Sequence, residues 1–336
     1  MDSNQHGSRA GRSTLLQLLE QQDEILCMLE EGSNVDMVYL DFSKAFNKCD
    51  YGILLNKLKA LGVKGRIGRW IHSFLNERKQ QVIVQGHKSG TSSVISGVPQ
   101  GSVLGPILFL IYISDIGVNV KSDMKIYVDD SKTKEKIFGP DDVESLQENL
   151  NQLYVWGQEN NMQFNGTKFQ VLRYGPNEMI KEETMYFTED MKQIIEQVYS
   201  TKDLGVIVSD DAKFDEHIDN MCRKVWQRSG WVLRTFYTRR MDFMKNIFQS
   251  LIQPHIDYCS QLWMPPQGQK LEKIERLLKS WTCRIPSLRS MNYWQRLKEL
   301  KMNSEQRRLE RYRVIYTWKV LQGLAPNLGV LEAKEN

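Results

Sequence analysis

Three aspartates at the ends of apolar runs are the residues of this sequence best suited to chemistry. Asp129 and Asp130 are adjacent and follow residues 124–128, and Asp41 follows residues 35–40, 88 positions before Asp129. Carboxylate oxygens are the ligands that Mg²⁺ and Mn²⁺ prefer, and two such ions roughly 3.5–4 Å apart can drive phosphoryl transfer. We therefore predict a divalent-metal site, although an Asp-Asp pair taken alone is more often a solvated turn.

A glycine- and proline-rich loop, residues 96–106, lies between these aspartates and precedes the apolar run 107–113. Gly97, Gly101 and Gly105 allow the backbone to pass close to another molecule, and the apolar run predicts a buried helix. Taken alone, such a turn indicates packing about as often as ligand contact. Its place between the aspartate-ending strands favours a position beneath a substrate or template.

Apolar periodicity predicts the elements that must hold these residues. It indicates an amphipathic helix over 13–31, two helices over 51–75 broken near Gly62, and a hairpin with strands at 80–84 and 93–96. A helix capped by Asp141 and ending near 158, then a strand at 169–174, follow the Asp-Asp turn. This order predicts an α+β fold, an antiparallel sheet backed by helices, with further helices from about residue 214.

Charge is unevenly distributed along the 336 residues, a length that itself predicts at least two subdomains. Residues 212–314 contain 21 Lys and Arg against 10 Asp and Glu, whereas residues 1–211 carry a net charge of −7. A basic region next to an acidic, metal-binding one suggests that the basic region holds a phosphate backbone.

Cations alternate with aromatic residues at the start of this basic region. The residues concerned are Arg223, Lys224, Trp226, Arg228, Trp231, Arg234, Phe236, Tyr237, Arg239 and Arg240. Arginines can neutralise phosphates and exposed rings can stack on bases, but the same pattern is typical of an amphipathic helix with its rings in the core. We interpret the rings as core and the arginines as nucleic-acid contacts.

With these motifs the sequence resembles the reverse transcriptases of non-LTR (LINE-type) retrotransposons, particularly the jockey-like and chicken-repeat-like branches. Residues 40–46 (LDFSKAF), 97–106 (GVPQGSVLGP) and 127–130 (YVDD) resemble the three catalytic motifs of that family. Residues 203–206 (DLGV) resemble its primer-grip region, and residues 253–258 (QPHIDY) resemble a thumb segment.

The resemblance implies a right-hand polymerase fold and an RNA-directed DNA polymerase activity. The palm would be an antiparallel sheet backed by helices, with partial fingers and a helical thumb. Residues 1–100 would form the partial fingers and a first palm segment, and 101–211 the palm with the Asp-Asp turn and primer grip. Residues 212–336 would form the basic thumb and a C-terminal extension.

It also implies roles for single residues. Asp41, Asp129 and Asp130 would bind two Mg²⁺ or Mn²⁺ ions, and Phe42 would exclude ribonucleotides, unless it is simply a core residue. Further substrate contacts would come from Gln100 and Gly101 along the template and from Lys168 near the triphosphate, unless this lysine is an ordinary surface residue. The implied nucleic-acid contacts are Leu204, Gly205, Arg223, Lys224, Arg239 and Arg240. The implied partners are an RNA template, a DNA primer or target, and dNTP.

Two functional classes stay open, an active polymerase and a nucleic-acid-binding remnant without turnover. Because the sequence starts just before residues 5–7, which resemble a fingers motif, we expect upstream fingers and any endonuclease domain to be missing. No apolar run approaches the ~18 residues of a membrane span, so we expect an intracellular protein without a membrane partner. No targeting signal stands out, but the family implies access to the nucleus. Nothing identifies a protein partner.

Overall fold

The chain divides into two compact units in the computed structural model, which describes residues 5–9, 11–176, 181, 184–188, 193–266 and 268–326. Unit 1 contains Met1–Ser13 and Cys27–Tyr199, and unit 2 contains Thr14–Leu26 and Ser200–Asn336. The predicted division into fingers, palm and thumb stays a prediction, and residues 327–336 of the predicted extension lie outside the described residues. Within the described ranges, no helix is both long and apolar enough to cross a membrane.

Unit 1 is built on a five-stranded sheet. The strands of this unit are β1 (Asn34–Leu40), β2 (Lys79–Gln80), β3 (Ile83–Val84), β4 (His87–Lys88), β5 (Ser92–Ser93), β6 (Asp123–Tyr127), β7 (Asp130–Ile137), β8 (Gln170–Tyr174) and β9 (Glu196–Val198). The order in the sheet is β6-β7-β1-β8-β9, in which β8 and β9 are parallel and the other neighbours antiparallel. Strand β1 is almost wholly buried, as its apolar sequence predicts for a central strand.

The following helices lie wholly or partly in unit 1. They are α1 (Thr14–Glu30), α2 (Ala45–Lys48), α3 (Tyr51–Ala60), α4 (Gly65–Leu75), α5 (Leu104–Tyr112) and α6 (Pro140–Glu159), with a 3₁₀ turn at Gly166–Lys168. The first part of α1, up to Leu26, groups with unit 2. Phe109 of α5, Leu150 of α6 and Val38 of β1 share one buried core. The predicted α+β fold is confirmed, as are the helix over 13–31 and the helix pair over 51–75.

The start of α6 differs from the prediction. Pro140 is its first residue and Gly139 its N-cap, whereas the sequence indicated capping by Asp141. The Asp142 carboxylate accepts hydrogen bonds from the backbone N–H groups of Phe138 and Gly139, at 2.8 and 3.1 Å. Proline suits the first helical position because its missing N–H would have no intrahelical partner there, so the helix begins before Asp141.

Unit 2 consists mainly of helices. Its strands are β10 (Ser200–Asp203) and β11 (Val206–Ser209), and its helices are α7 (Asp215–Thr235), α8 (Met241–Ile247), α9 (Gln253–Asp257), α10 (Ser260–Trp263), α11 (Gln269–Thr282), α12 (Tyr293–Leu300) and α13 (Glu305–Leu321). Helix α7 buries Ile218, Met221, Cys222 and Val225 on one face, at the spacing of an amphipathic helix. These side chains share a core with Trp263 and Trp281.

A buried charge network fixes the start of α13 in this core. The Arg308 guanidinium donates to the carboxylates of Asp257 and Glu305. Burial raises the pKa of Glu305 to about 7, and the positive charge of Arg308 opposes that rise. Paired charges are tolerated in a protein interior because each satisfies the other's hydrogen bonds.

Candidate active site and nucleic-acid surface

The register of the unit 1 sheet places Asp41 next to the Asp-Asp turn. The β1–β7 ladder ends where Leu40 pairs with Ser131, so Asp41 and Asp130 are the next residues along the two strands. Both therefore lie at the same end of the sheet. The sequence predicted an apolar strand before each of these aspartates. The antiparallel pairing of β1 with β7 brings Asp41 and Asp130 together.

Asp129 belongs to the tight turn that joins β6 to β7. Tyr127 pairs with Asp130, which leaves Val128 and Asp129 as the two turn residues, and Asp129 is exposed. Val128 has a φ of +62°, a region that β-branched residues rarely adopt and that hairpin turns of two residues usually fill with Gly or Asn. A left-handed conformation costs an L-residue about 1–2 kcal/mol, so other contacts must hold this turn.

Residues 5–7 supply such contacts to the turn, a role that the sequence did not indicate. Gln5 forms an isolated parallel bridge with Ile126 of β6 and is buried. Its side-chain oxygen Oε1 accepts hydrogen bonds from the backbone N–H of Val128 at 3.1 Å and of Gly7 at 2.8 Å. A Cβ on Gly7 would lie 2.5 Å from Val128 Cγ2, so only glycine allows this approach. Gln5 therefore fastens the Asp129 turn.

Lys168 lies against the first candidate metal ligand. Its Nζ donates to Asp41 Oδ2 at 2.9 Å, and the backbone N–H of Asn165 donates to the Asp41 carbonyl at 2.8 Å. The lysine side chain is 63% exposed, so this ion pair contributes at most about 1 kcal/mol and can open. The predicted triphosphate-binding lysine thus lies at the end of the sheet that carries Asp41, and its role stays a prediction.

The three aspartates have ligand atoms suited to a hard divalent cation, but their side chains do not form a three-ligand group in this structure. Carboxylate oxygens are suitable donors for Mg²⁺ or Mn²⁺. Across the described residues, however, no group of three or more His, Cys, Asp or Glu side chains is gathered closely enough to hold an ion. The Asp41 carboxylate is paired with Lys168 instead. The metal-binding role of Asp41, Asp129 and Asp130 stays a prediction.

Phe42, the predicted gate against ribonucleotides, lies in the core of unit 1. It is 6% exposed, and its ring stacks on Phe164 with 4.6 Å between the ring centroids. The Trp156 ring lies 6.3 Å away. These contacts agree with the core interpretation that the sequence left open, and gating stays a prediction.

The glycine-rich loop combines a close-packed part with an exposed part. A Cβ on Gly97 would lie 2.7 Å from the Phe46 carbonyl oxygen, and one on Gly105 would lie 2.5 Å from that of Pro99. Gln100 and Gly101, by contrast, are exposed, and nothing lies within 4 Å of a Cβ built on Gly101. The packed glycines hold the loop, and the exposed pair is accessible to a nucleic-acid strand.

Leu204 and Gly205, the predicted primer-grip residues, form the turn of the β10–β11 hairpin in unit 2. Both have positive φ, 45° and 92°, as a two-residue hairpin turn requires. The Tyr258 hydroxyl donates to the Leu204 carbonyl at 2.6 Å and lies against Gly205. Residues 203–206 and the QPHIDY segment, two motifs distant in sequence, thus meet at one turn.

A basic cleft adjoins this hairpin turn. It has a volume of about 480 Å³ and is lined by Gly205, Lys224, His255 and Tyr258 among others. A second cleft of about 520 Å³ shares Lys224 and His255 and continues to Trp231. Burial, with help from nearby cations, lowers the pKa of His255. The two clefts share lining residues, and we call them together the unit 2 cleft. Its charged lining is Lys202, Lys224, Arg228 and Glu216. Three cations against one carboxylate give a net positive charge that suits a phosphate backbone.

The predicted arginine contacts separate into different environments. Arg223 and Lys224 are exposed on α7. Arg239 instead donates to the backbone carbonyls of Leu233, Phe236 and Thr238 near the end of α7. Arg240 pairs with Asp242 at 3.1 Å on the surface. Arg239 therefore stabilises a helix end, and phosphate contacts by Arg239 and Arg240 stay predictions.

The aromatic residues of this segment correct the prediction that its rings belong to the core. Trp226, Trp231 and Tyr237 are 45%, 51% and 91% exposed. Phe236 alone of the four rings is partly buried, against Phe243. The buried face of α7 is filled by smaller apolar residues, which leaves the tryptophans at the surface beside the cations.

Solved structures of telomerase are similar in part. Telomerase from Candida albicans in complex with the TWJ fragment of telomeric RNA is 12% identical, with a TM-score of 0.47, and the match covers 88% of this chain and 44% of that chain. Apo telomerase from Candida tropicalis is 11% identical, with a TM-score of 0.47 and coverage of 85% and 46%.

Curated relatives are polymerases of mobile elements. The RNA-directed DNA polymerase from mobile element jockey of Drosophila melanogaster is 27% identical over 293 residues, which are 83% of this chain and 31% of that protein. The probable RNA-directed DNA polymerase from transposon X-element of Drosophila melanogaster is 24% identical, covering 82% and 31%. The chain spans about 31% of the length of these relatives.

A protein-family model decides the assignment. The model for "Reverse transcriptase (RNA-dependent DNA polymerase)" matches residues 1–208, which is more than half of the 336 residues. The match includes Asp41, the glycine-rich loop and the Asp129-Asp130 turn. The resemblance noted in the sequence is thereby confirmed, and the chain belongs to the reverse transcriptase family, with relatives among the non-LTR retrotransposon polymerases.

Proposed function

We propose that this chain carries an RNA-directed DNA polymerase activity, in which the 3′-OH of a DNA primer attacks the α-phosphate of a dNTP opposite an RNA template. One observation carries the proposal: the β1–β7 ladder puts Asp41 beside Asp130, next to the exposed Asp129. Carboxylates at one end of a rigid sheet suit in-line phosphoryl transfer, which depends on positioning and charge compensation more than on covalent chemistry.

Asp41, Asp129 and Asp130 would hold two Mg²⁺ or Mn²⁺ ions. When bound, such ions would activate the primer hydroxyl and stabilise the leaving pyrophosphate. Lys168 would leave Asp41 and move its charge toward the triphosphate, which its exposed position allows. Gln5 would keep the Asp129 turn in place through its hydrogen bond to Val128.

Each unit has its own proposed nucleic-acid contacts. Gln100 and Gly101, exposed on the glycine-rich loop, would follow the template, and the Leu204-Gly205 turn would contact the primer. Cations of the unit 2 cleft, including Lys224, would neutralise phosphates of the product duplex. Because integration requires chromosomal DNA, we also propose an intracellular protein with access to the nucleus.

Replacing Asp129 by Asn tests the proposal. We expect Asp129→Asn to reduce primer extension on an RNA template with Mg²⁺ or Mn²⁺ at least 100-fold, because loss of a carboxylate removes a metal ligand. RNA–DNA binding, measured by fluorescence anisotropy, should stay within about twofold because phosphate contacts lie elsewhere. Asp141→Asn, which changes an exposed aspartate in the first turn of α6, is the matched control. Equal extension by wild type and Asp129→Asn would contradict the proposal.

An alternative function is nucleic-acid binding without turnover. The observation that favours it is the pairing of Asp41 with Lys168, since the described side chains form no three-ligand metal group. Absence of extension by the wild-type protein, together with retained duplex binding, would select this alternative.

A further inference from the structure

Helix α4 and the hairpin that follows it expose far more of their surface than other elements of unit 1. Of the eleven residues of α4, only Ile71 and Leu75 are buried. All fifteen residues from 79 to 93 are exposed, and their two short ladders pair only a few residues. We call α4 and residues 79–93 together the α4–hairpin surface. Isolated two-stranded ribbons are marginally stable in water, so a binding partner would stabilise this one.

The charge of this surface is strongly positive, although unit 1 as a whole is acidic. Helix α4 and residues 79–93 contain four Lys and Arg and no Asp or Glu. Arg66, Arg69 and Lys88 are exposed, and the ion pairs of the described residues do not include them. A concentration of unopposed cations attracts a polyanion.

Arg78 holds the α4–hairpin surface in place, and its guanidinium is engaged by neighbouring groups of the protein. Its guanidinium donates to the Tyr51 hydroxyl and the Gly97 carbonyl. Its own carbonyl accepts from the backbone N–H of Val94 at 2.8 Å, which closes the base of the hairpin. The hairpin is thus fixed to the glycine-rich loop that carries Gln100 and Gly101.

An exposed tryptophan lies among the cations of α4. Trp70 is 57% exposed, and it follows Arg66 by four positions and Arg69 by one. Residues four apart are neighbours on a helix surface, so Arg66 and Trp70 are adjacent. Phe74 stacks against Trp70 at 5.7 Å between ring centroids, which restricts the orientation of the indole. A held, exposed indole beside an arginine is suited to stack on an unpaired base.

We propose that the α4–hairpin surface binds a single strand of nucleic acid, with Arg66, Arg69 and Lys88 contacting phosphates and Trp70 stacking on a base. The exposed side chains of residues 82–84 offer further apolar contact to bases or sugars. A protein partner would require acidic residues to match these cations, whereas a polynucleotide provides a negative charge at every phosphate. The inference does not depend on polymerase activity, because it concerns binding alone.

The test measures binding of a fluorescent 20-nucleotide oligouridylate across KCl concentrations. For Arg66→Gln/Arg69→Gln we expect about tenfold weaker binding at 50 mM KCl and a log–log salt slope reduced by about 1.4, since each phosphate contact on a single strand contributes about 0.7. For Trp70→Ala we expect about tenfold weaker binding with an unchanged slope. Lys298→Gln/Lys301→Gln, which removes two exposed charges from unit 2, is the matched control. Ultraviolet cross-linking of the wild type should recover a uridine-modified peptide containing Trp70.

The outcomes separate the possible partners. An unchanged slope in Arg66→Gln/Arg69→Gln, with no cross-link in α4 or residues 79–93, would overturn the proposal and leave a protein as the occupant. An equal loss of affinity for a blunt duplex would overturn the single-strand assignment. Since the Asp129→Asn protein should bind oligouridylate as the wild type does, failure of primer extension would not affect this result.

Discussion

At the scale of single residues, Val128 shows how the structure maintains a strained position beside the candidate metal site. A valine with φ of +62° would relax to an extended conformation unless neighbouring groups held it. Gln5 accepts the Val128 N–H, and the missing side chain of Gly7 makes room for the valine methyl. The geometry of the Asp129 turn therefore depends on residues more than 120 positions earlier.

Replacing Gln5 by Ala tests this dependence. The substitution removes the acceptor of two backbone N–H groups, and a buried unsatisfied donor costs about 1–3 kcal/mol. We expect primer extension to fall at least tenfold and to require a higher Mg²⁺ concentration, with duplex binding unchanged.

Gln152→Ala, which changes an exposed glutamine of α6, is the matched control, and it should behave as wild type. If Gln5→Ala lowered the melting temperature but left the Mg²⁺ dependence of extension unchanged, Gln5 would stabilise the fold without positioning the Asp129 turn.

At the scale of elements, helix α7 presents two different surfaces. One face is buried among apolar side chains, and the other carries Arg223, Lys224 and the exposed tryptophans beside the unit 2 cleft. Near the end of the helix, Arg239 is engaged with backbone carbonyls. Cations close together in sequence therefore have different roles.

Comparing two sets of substitutions distinguishes these roles. We expect Arg223→Gln/Lys224→Gln to reduce the log–log salt slope of RNA–DNA duplex binding by about 1.8, since each phosphate contact on a duplex contributes about 0.9. We expect Arg239→Gln to lower the free energy of unfolding by about 1 kcal/mol, through loss of carbonyl contacts, with little change in slope. If Arg239→Gln reduced the salt slope and Arg223→Gln/Lys224→Gln did not, Arg239 would be the phosphate contact, and Arg223 and Lys224 would not.

At the scale of the whole molecule, buried ionisable groups set the pH range of stability. Burial lowers the pKa of His217 to about 4 from 6.5, and the backbone N–H of Ile207 donates to its Nδ1 at 3.2 Å. Because the folded-state pKa is depressed, the folded state binds the proton less readily, and stability is lost as pH falls from 6.5 toward 4. Glu305, with its pKa raised to about 7, acts oppositely, and its stability contribution is lost as pH rises from 4.5 to 7.

Urea unfolding from pH 4.5 to 7.5 checks the histidine contribution. A shift from 6.5 to about 4 corresponds to about 3 kcal/mol at a pH below both values, and most of this is already lost at pH 4.5. We expect His217→Gln to flatten the loss of stability below pH 6.5. His87→Gln, in the exposed hairpin, is the control, and an equal effect of both substitutions would remove His217 as the cause.

Part of this arrangement was predictable from the sequence because it depends on local patterns. The apolar runs ending in Asp41 and before Asp129 gave the strands, the glycines near position 62 separated α3 from α4, and the YVDD and GVPQG motifs indicated the family that the family model confirmed. Periodicity and turn chemistry act over a few residues, so they can be read without knowing the fold.

Only the tertiary structure decided which distant residues meet and which side of an element is covered. The β1–β7 register brought Asp41 beside Asp130, and packing placed Trp226 and Trp231 at the surface. The Gln5 side chain accepts a hydrogen bond from Val128, and the Tyr258 hydroxyl donates one to Leu204. Helical periodicity shows that a helix has an apolar face, but large aromatic residues occur both in cores and at binding surfaces, and packing decides between them. The sequence by itself therefore determined the family, the elements and the candidate aspartates, whereas long-range packing decided how they are positioned and which cations stay accessible.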